Sequence, residues 1–160
     1  ILVRNSHSKT IFVKTSILMV CLGNICRSPL AEGILRSKLS PEKYHIDSAG
    51  TASYHIGCAP DPRSIEVAAK NNIDIAWQKA RTLTKEGFQV FDKIFVMDQN
   101  NYSHVIGLSN SVAEKKIQLV LNNSEVPDPY YGDATNFKMV FDLLDEACNK
   151  ICIQLLNDKL

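Results

Sequence analysis

No apolar run in this 160-residue chain approaches the ~18 residues needed to cross a bilayer, although 45% of its residues are hydrophobic. Charge of either sign is not in excess: 18 Lys and Arg face 17 Asp and Glu, a formal net charge of +1. Neither nucleic acid nor a membrane surface is therefore an expected partner. Repeats, linkers and low-complexity stretches are missing, and seven glycines and six prolines are scattered as turn punctuation. Five cysteines are an odd number and lack the spacing of a secreted disulfide scaffold, which favours a reduced, cytoplasmic setting. No second ligand pair stands at finger-like spacing, so neither zinc nor another metal is expected. The length suits a single domain over residues 14–160 with a sizeable core. Residues 1–13, mixed and polar without the apolar core of a signal peptide, read as an extension or a remnant foreign to that domain.

What is present is concentrated in Val20-Cys21-Leu22-Gly23-Asn24-Ile25-Cys26-Arg27-Ser28-Pro29. Ile17 to Val20 before it form a buried-strand pattern. Ser28 with Pro29 reads as a helix N-cap followed by proline at the first helical position. A loop from a strand's carboxyl end to a helix's amino end offers backbone N–H groups at the positive end of the helix dipole, a cradle for phosphate-like anions. Here one lip of the cradle carries a thiol, Cys21, and the other a guanidinium, Arg27. The donors, the dipole and the arginine each favour the thiolate, which is the nucleophile. Arg27 has the planar fork that grips two phosphoryl oxygens at once, where transition-state charge gathers. Gly23 lets the backbone approach the anion, and Asn24 and Ser28 supply short polar groups that hold the loop, Ser28 within reach of the sulfur as well.

A proton donor for the leaving oxygen stands at Val126-Pro127-Asp128-Pro129-Tyr130-Tyr131-Gly132-Asp133. Two prolines stiffen the loop around Asp128. A fixed carboxyl beside two aromatics suits general acid catalysis on a phenolate, and then base catalysis on water.

The whole V-C-L-G-N-I-C-R-S-P string resembles the signature loop of the low-molecular-weight protein tyrosine phosphatases, and D-P-Y-Y-G resembles their acid loop. The resemblance runs from about Lys14 to the end of the chain. It implies that Cys21 is the nucleophile, Leu22, Gly23, Asn24, Ile25, Cys26, Arg27 and Ser28 the phosphate cradle, Arg27 the transition-state clamp and Asp128 the acid. It also implies a phosphocysteine intermediate, no cofactor, phosphotyrosine proteins or peptides as partners, and a reversible Cys21–Cys26 disulfide. By the same resemblance Tyr54, Tyr130 and Tyr131 line the substrate cleft, Ser48 braces Asn24, and Asp98 supports the pocket from the end of the third strand. A monomer is expected, with a weak dimer as the alternative. One departure stands out: where many members have His-Gly after the second helix, the histidine bonding the signature asparagine, this chain has Asn71-Asn72. The four histidines (His7, His45, His55, His104) match no catalytic position and read as surface or packing residues, and Trp77 reads as a packing anchor. Asp61 and Arg63 read as structural polar contacts, and Cys148 and Cys152, one turn apart, as core residues.

The remaining pattern alternates strands and helices, which predicts an α/β fold with a parallel sheet and helices on both faces. Strands are expected at Tyr44–Ser48, Lys93–Met97 and Ile117–Leu121 besides the first, and helices at Ser28–Leu39, Ser64–Lys70 and Ala134–Leu156. The resemblance implies a flavodoxin-like four-stranded twisted sheet of order 2-1-3-4. Three other functions compete. A protein-arginine phosphatase is open on the same scaffold. An arsenate reductase needs further cysteines, and residues 59–147 hold none. A non-catalytic phosphate-binding module needs neither a thiol nor an acid. A nucleotide-binding P-loop is excluded because the loop has no lysine and G-x-x-x-x-G-K-[ST] is absent.

Overall fold

The computed structural model describes residues 13–158. The proposed extension falls almost entirely on residues 1–12, outside the described residues.

Strand β1 (Thr15–Cys21) is apolar on both sides. Ile17, Met19 and Cys21 enter one hydrophobic layer, and Leu18 and Val20 enter the other. A strand buried on both faces must lie inside a sheet with helices above and below. That is its place: β2 (Tyr44–Gly50), β1, β3 (Lys93–Val96) and β4 (Ile117–Leu119) form one parallel sheet in the order β2-β1-β3-β4. Helices α1 (Arg27–Lys38), α2 (Pro62–Lys70) and α5 (Ala134–Asn157) cover the first face. The short α3 (Gly87–Val90), α4 (Gln99–Leu108) and a 3₁₀ turn at Ala113–Lys116 cover the second. In α5, Phe137, Val140, Leu144, Ala147, Cys148, Ile151 and Leu155 recur at three- and four-residue steps and are buried. Each large side chain in that stripe contributes roughly 1.5–3 kcal/mol by leaving water. Cys148 lies within it, its thiol pushed up by burial, and Cys152 stands partly exposed one turn on.

The fold is the expected one, with local corrections. Helix α1 begins at Arg27 behind Cys26, which makes no side-chain cap bond, so Ser28 is not the N-cap. Ser28 and Pro29 lie inside the first turn, where proline's missing N–H costs no helical bond. The freed Ser28 hydroxyl turns toward the loop instead. Helix α2 starts earlier than expected, at Pro62, because the Asp61 carboxylate caps it by accepting from the Arg63 N–H. Strand β2 runs on to Gly50, and β4 stops at Leu119. Trp77 is no buried anchor. It is 54% exposed, its indole N–H donating to the Asp74 carbonyl and the Arg36 guanidinium stacked 5.0 Å from its ring.

Candidate active site

Cys21 is the last residue of β1, and the chain turns through 22–26 into α1. Past the end of β2, the Thr51 and Ala52 N–H groups donate to the Cys21 and Leu22 carbonyls, both at 2.9 Å, pinning the start of the turn. Gly50 permits this crossing, because a Cβ there would stand 2.7 Å from the Leu22 carbonyl oxygen. Asn24 sits at φ +56°, a left-handed conformation that asparagine tolerates. Its backbone N–H thereby faces the Cys21 Sγ at 3.3 Å. Its side chain is fully used: Nδ2 donates to Ser28 Oγ at 2.8 Å and to Ser48 Oγ at 3.0 Å, and Oδ1 accepts from the Arg81 N–H at 2.9 Å. Asn71, standing where the histidine was expected, turns away and donates to the Val67 carbonyl in its own helix. The Arg81 backbone serves Asn24 in its stead.

Behind Ser48 lies Glu32, buried in α1 and not singled out in the sequence. Its Oε2 accepts the Ser48 hydroxyl at 2.6 Å and its Oε1 accepts from Arg36 Nε at 2.9 Å. Burial raises the Glu32 carboxyl above its ordinary value, with Ser48 and Arg36 pulling the other way. The donors then have one direction. Ser48 gives its proton to Glu32 and accepts from Asn24. Asn24 donates to Ser28, whose own proton is left for the sulfur at 3.1 Å or the more distant Ala49 carbonyl at 3.4 Å.

Arg27 is buried at the other lip. Its Nη1 donates to Asp98 Oδ2 at 2.7 Å and to the Val126 carbonyl at 3.0 Å, and its Nη2 lies 3.4 Å from Asp128 Oδ2. Asp98 holds two posts, because its Oδ1 also caps α4 by accepting from the Asn101 N–H. Burial alone would lower the Arg27 pKa, but Cys21, Asp98 and Asp128 together hold it above the ordinary value, so the cation is secure. Cys26 is held in the opposite sense. Burial first, then Asp61, Cys21 and Asp128, push its thiol up to about 12, which keeps it protonated at neutral pH. The donors of the loop converge on the other sulfur, that of Cys21.

A cleft of about 290 Å³ opens over the loop, and Cys21, Cys26, Arg27 and Asp128 reach its wall. Tyr54, Tyr130 and Tyr131 line it as expected, with Tyr130 and Tyr131 edge to face at 4.9 Å. Asn24, Ser28, Ser48 and Asp98 stand behind the wall. His55, read as a surface or packing residue, also lines the cleft, over the space that a side chain on Gly23 would need. The one signal for it was its place next to Tyr54.

A thiol under converging donors, a buried arginine and a carboxylate on one cleft, at the carboxyl end of a parallel sheet, define a cysteine-dependent phosphoric monoester hydrolase. The family model for low molecular weight phosphotyrosine protein phosphatase matches residues 16–160, and the chain belongs to that family. A low molecular weight phosphotyrosine protein phosphatase of Gallus gallus is 39% identical over 148 residues, 86% of this chain and 90% of that protein. The crystal structure of a protein tyrosine phosphatase from Entamoeba histolytica superposes with a TM-score of 0.88 at 37% identity, covering 92% of this chain and all of that one. Vibrio vulnificus Wzb in complex with benzylphosphonate superposes at 0.79 with 33% identity, covering 91% of this chain and 99% of that one.

Proposed function

We propose that the chain hydrolyses phosphotyrosine in proteins through a phosphocysteine on Cys21. The observation that carries this is the convergence on one sulfur of the Asn24 N–H and the Ser28 hydroxyl, with Arg27 and Asp128 on the same cleft. The Cys21 thiolate attacks phosphorus in line while Arg27 grips two of the non-bridging oxygens. As the S–P bond forms, the P–O bond to the aryl group breaks, and Asp128 passes its proton to the departing phenolic oxygen. Asp128, now a carboxylate, takes a proton from a water molecule as the water oxygen attacks phosphorus. The S–P bond breaks, phosphate leaves, and the Ser28 hydroxyl receives the returning thiolate charge. Tyr54 and Tyr130 offer ring surface to an aryl substrate, which favours phosphotyrosine over phosphoarginine. The benzylphosphonate held by the Vibrio vulnificus relative has the same aryl-and-phosphoryl chemistry.

Two further parts belong to this reading. Cys21 and Cys26 share the cleft wall as free thiols, which supports a reversible disulfide between them under oxidants. The five cysteines, free throughout, and the lack of any helix among the described residues long and apolar enough to cross a membrane support action in the reducing cytoplasm. The expected partners are phosphotyrosine proteins or peptides.

Turnover of p-nitrophenyl phosphate with mass spectrometry of acid-quenched enzyme tests the mechanism. Wild type should carry one added phosphoryl group, and Cys21→Ser should neither acquire it nor turn over. A Cys21→Ser enzyme with full activity overturns the assignment. Asp128→Ala should lose about a hundredfold or more on phenyl phosphate, within the range of general acid catalysis.

A further inference from the structure

The segment that presents Asp128 is held at both ends. The Val126 N–H donates to the Met97 carbonyl at 2.8 Å, and Asp133 caps α5 through Thr135 and Asn136. Between those ends the prolines limit the backbone but bond to nothing through nitrogen. Arg27 reaches the near side of this gap, at the Val126 carbonyl and the Asp128 carboxylate, and a second arginine enters from α2. Arg63, in the first turn of α2, donates from Nη1 to the Gly132 carbonyl and from Nη2 to the Tyr130 carbonyl, each at 3.0 Å. The other edge of its fork is fixed, since Nε and Nη2 donate to the two carboxylate oxygens of Asp61 at 2.9 and 2.8 Å. Its Cζ lies 4.3 Å from the Phe137 ring centroid.

Tyr130 links this fork to the acid. Its carbonyl accepts from Arg63, and its N–H donates to Asp128 Oδ1 at 3.1 Å. The same turn of α2 also clasps the cradle. The Asp61 N–H donates to the Ile25 carbonyl at 2.7 Å and the Ser64 hydroxyl to the Cys26 carbonyl at 3.2 Å. We propose that Arg63, braced by Asp61, is a positioning residue that sets the acid loop against the phosphate cradle, so that the Asp128 carboxyl meets the leaving oxygen. The proposal rests on the reading of Asp128 as the general acid. Arg63 itself touches no reacting atom.

In the transfer to Cys21, the half of the reaction that kcat/KM reads, a positioning role of this kind acts only where the leaving group needs a proton. The test is a series of substituted phenyl phosphates, from 2,4-dinitrophenyl to unsubstituted phenyl, on wild type, Arg63→Met, Asp128→Ala and the double variant. Arg63→Met keeps an apolar stem over Phe137 and removes the fork. It should cost about tenfold to a hundredfold in kcat/KM on phenyl phosphate, as a displacement on the order of 1 Å does. On 2,4-dinitrophenyl phosphate, which leaves without help, the loss should be under about threefold, a difference seen as a steeper leaving-group dependence. In the Asp128→Ala background the same substitution should add little. Equal losses across the series, or full additivity with Asp128→Ala, overturn the proposal. If Arg63→Met does not fold, Arg63→Lys, which keeps the charge but reaches at most one carbonyl, carries the test with a smaller loss of the same pattern. A wild-type leaving-group dependence in Asp128→Ala defeats the acid assignment instead, and the two failures are thereby told apart.

Discussion

Arg27 is aligned before any substrate arrives. Both hydrogens of its Nη1 are taken, by the Asp98 carboxylate and the Val126 carbonyl, which leaves Nε and Nη2 as the edge available to a phosphoryl group. Asp98 performs that task with one oxygen and caps α4 with the other, so a single substitution can separate the two. In Asp98→Asn the amide oxygen can still cap, because asparagine is as good an N-cap as aspartate. Its NH₂ then faces Nη1, donor against donor, and the guanidinium loses its anchor. Hydrogen bonds to charged groups are worth about 1.5–3 kcal/mol, so kcat/KM on p-nitrophenyl phosphate should fall by roughly tenfold to a hundredfold. Asp98→Ala should show a similar kinetic loss and, in thermal melts, a further loss of about 1 kcal/mol from the missing cap. Wild-type kinetics in Asp98→Asn would remove Asp98 from the site.

At the scale of elements, the cradle depends on how closely the end of β2 passes under the start of the loop. Gly50 pairs with Cys21 in register and bonds outward to the 81–83 segment, its N–H to the Arg81 carbonyl and its carbonyl to the Leu83 N–H. A methyl group there would meet the Leu22 carbonyl oxygen at 2.7 Å and the Asn24 nitrogen at 3.2 Å, both main-chain atoms of the cradle with no rotamer to yield. Gly50→Ala should therefore displace the loop itself. Overpacking costs about 1–3 kcal/mol, read as a lowered Tm. Misplacement of the reacting groups should take kcat/KM down by more than about tenfold. Retention of both would show that the crossing has slack. Legibility at this scale followed burial. Strands β1 and β3 and helix α5 carry continuous or periodic apolar residues and were readable. In α4 only Asn101 and Val105 are fully buried, with Tyr102, Ile106 and Leu108 half-exposed against the same layer, so its stripe is short and weak, and its clearer sign was Asp98 at the N-cap position.

Across the whole molecule, the parts of the site that could be read were those contiguous in sequence. Cys21 to Arg27 and Asp128 to Gly132 each carry their chemistry in one short string. The residues that hold those strings were out of reach of any local pattern, since Glu32 lies 16 residues from Ser48, Arg81 57 from Asn24 and Arg63 69 from Gly132. Of the two roles read for Ser28, the contact with the sulfur stands and the helix cap does not, since a Ser-Pro pair at a helix start looks the same in either case.

Glu32 also couples the site to the stability of the fold. Burial raises its carboxyl above the ~4.3 of an unfolded glutamate, so between those values the folded chain holds more protons than the unfolded one. Stability contributed by this group accordingly falls as pH rises through that window. Asp61 has the opposite sign. Its bond from Arg63 holds it below the usual carboxylate range, so its contribution is present above the ordinary value and is lost as pH falls through the lower folded one. Glu32→Gln removes only the first dependence. The Tm of Glu32→Gln relative to wild type should therefore climb as pH rises from about 4.3 through the raised Glu32 value, and then level off. Glutamine offers the Ser48 hydroxyl a weaker acceptor than a carboxylate does, and its NH₂ turned toward Arg36 would set donor against donor. The one-way run of donors from Asn24 through Ser28 to the Cys21 sulfur then loses its far anchor, and kcat should stay below wild type throughout the same pH series. A Tm difference constant with pH would mean that Glu32 does not titrate as its burial requires, and an unchanged kcat would mean that the cradle holds its donors in line without it.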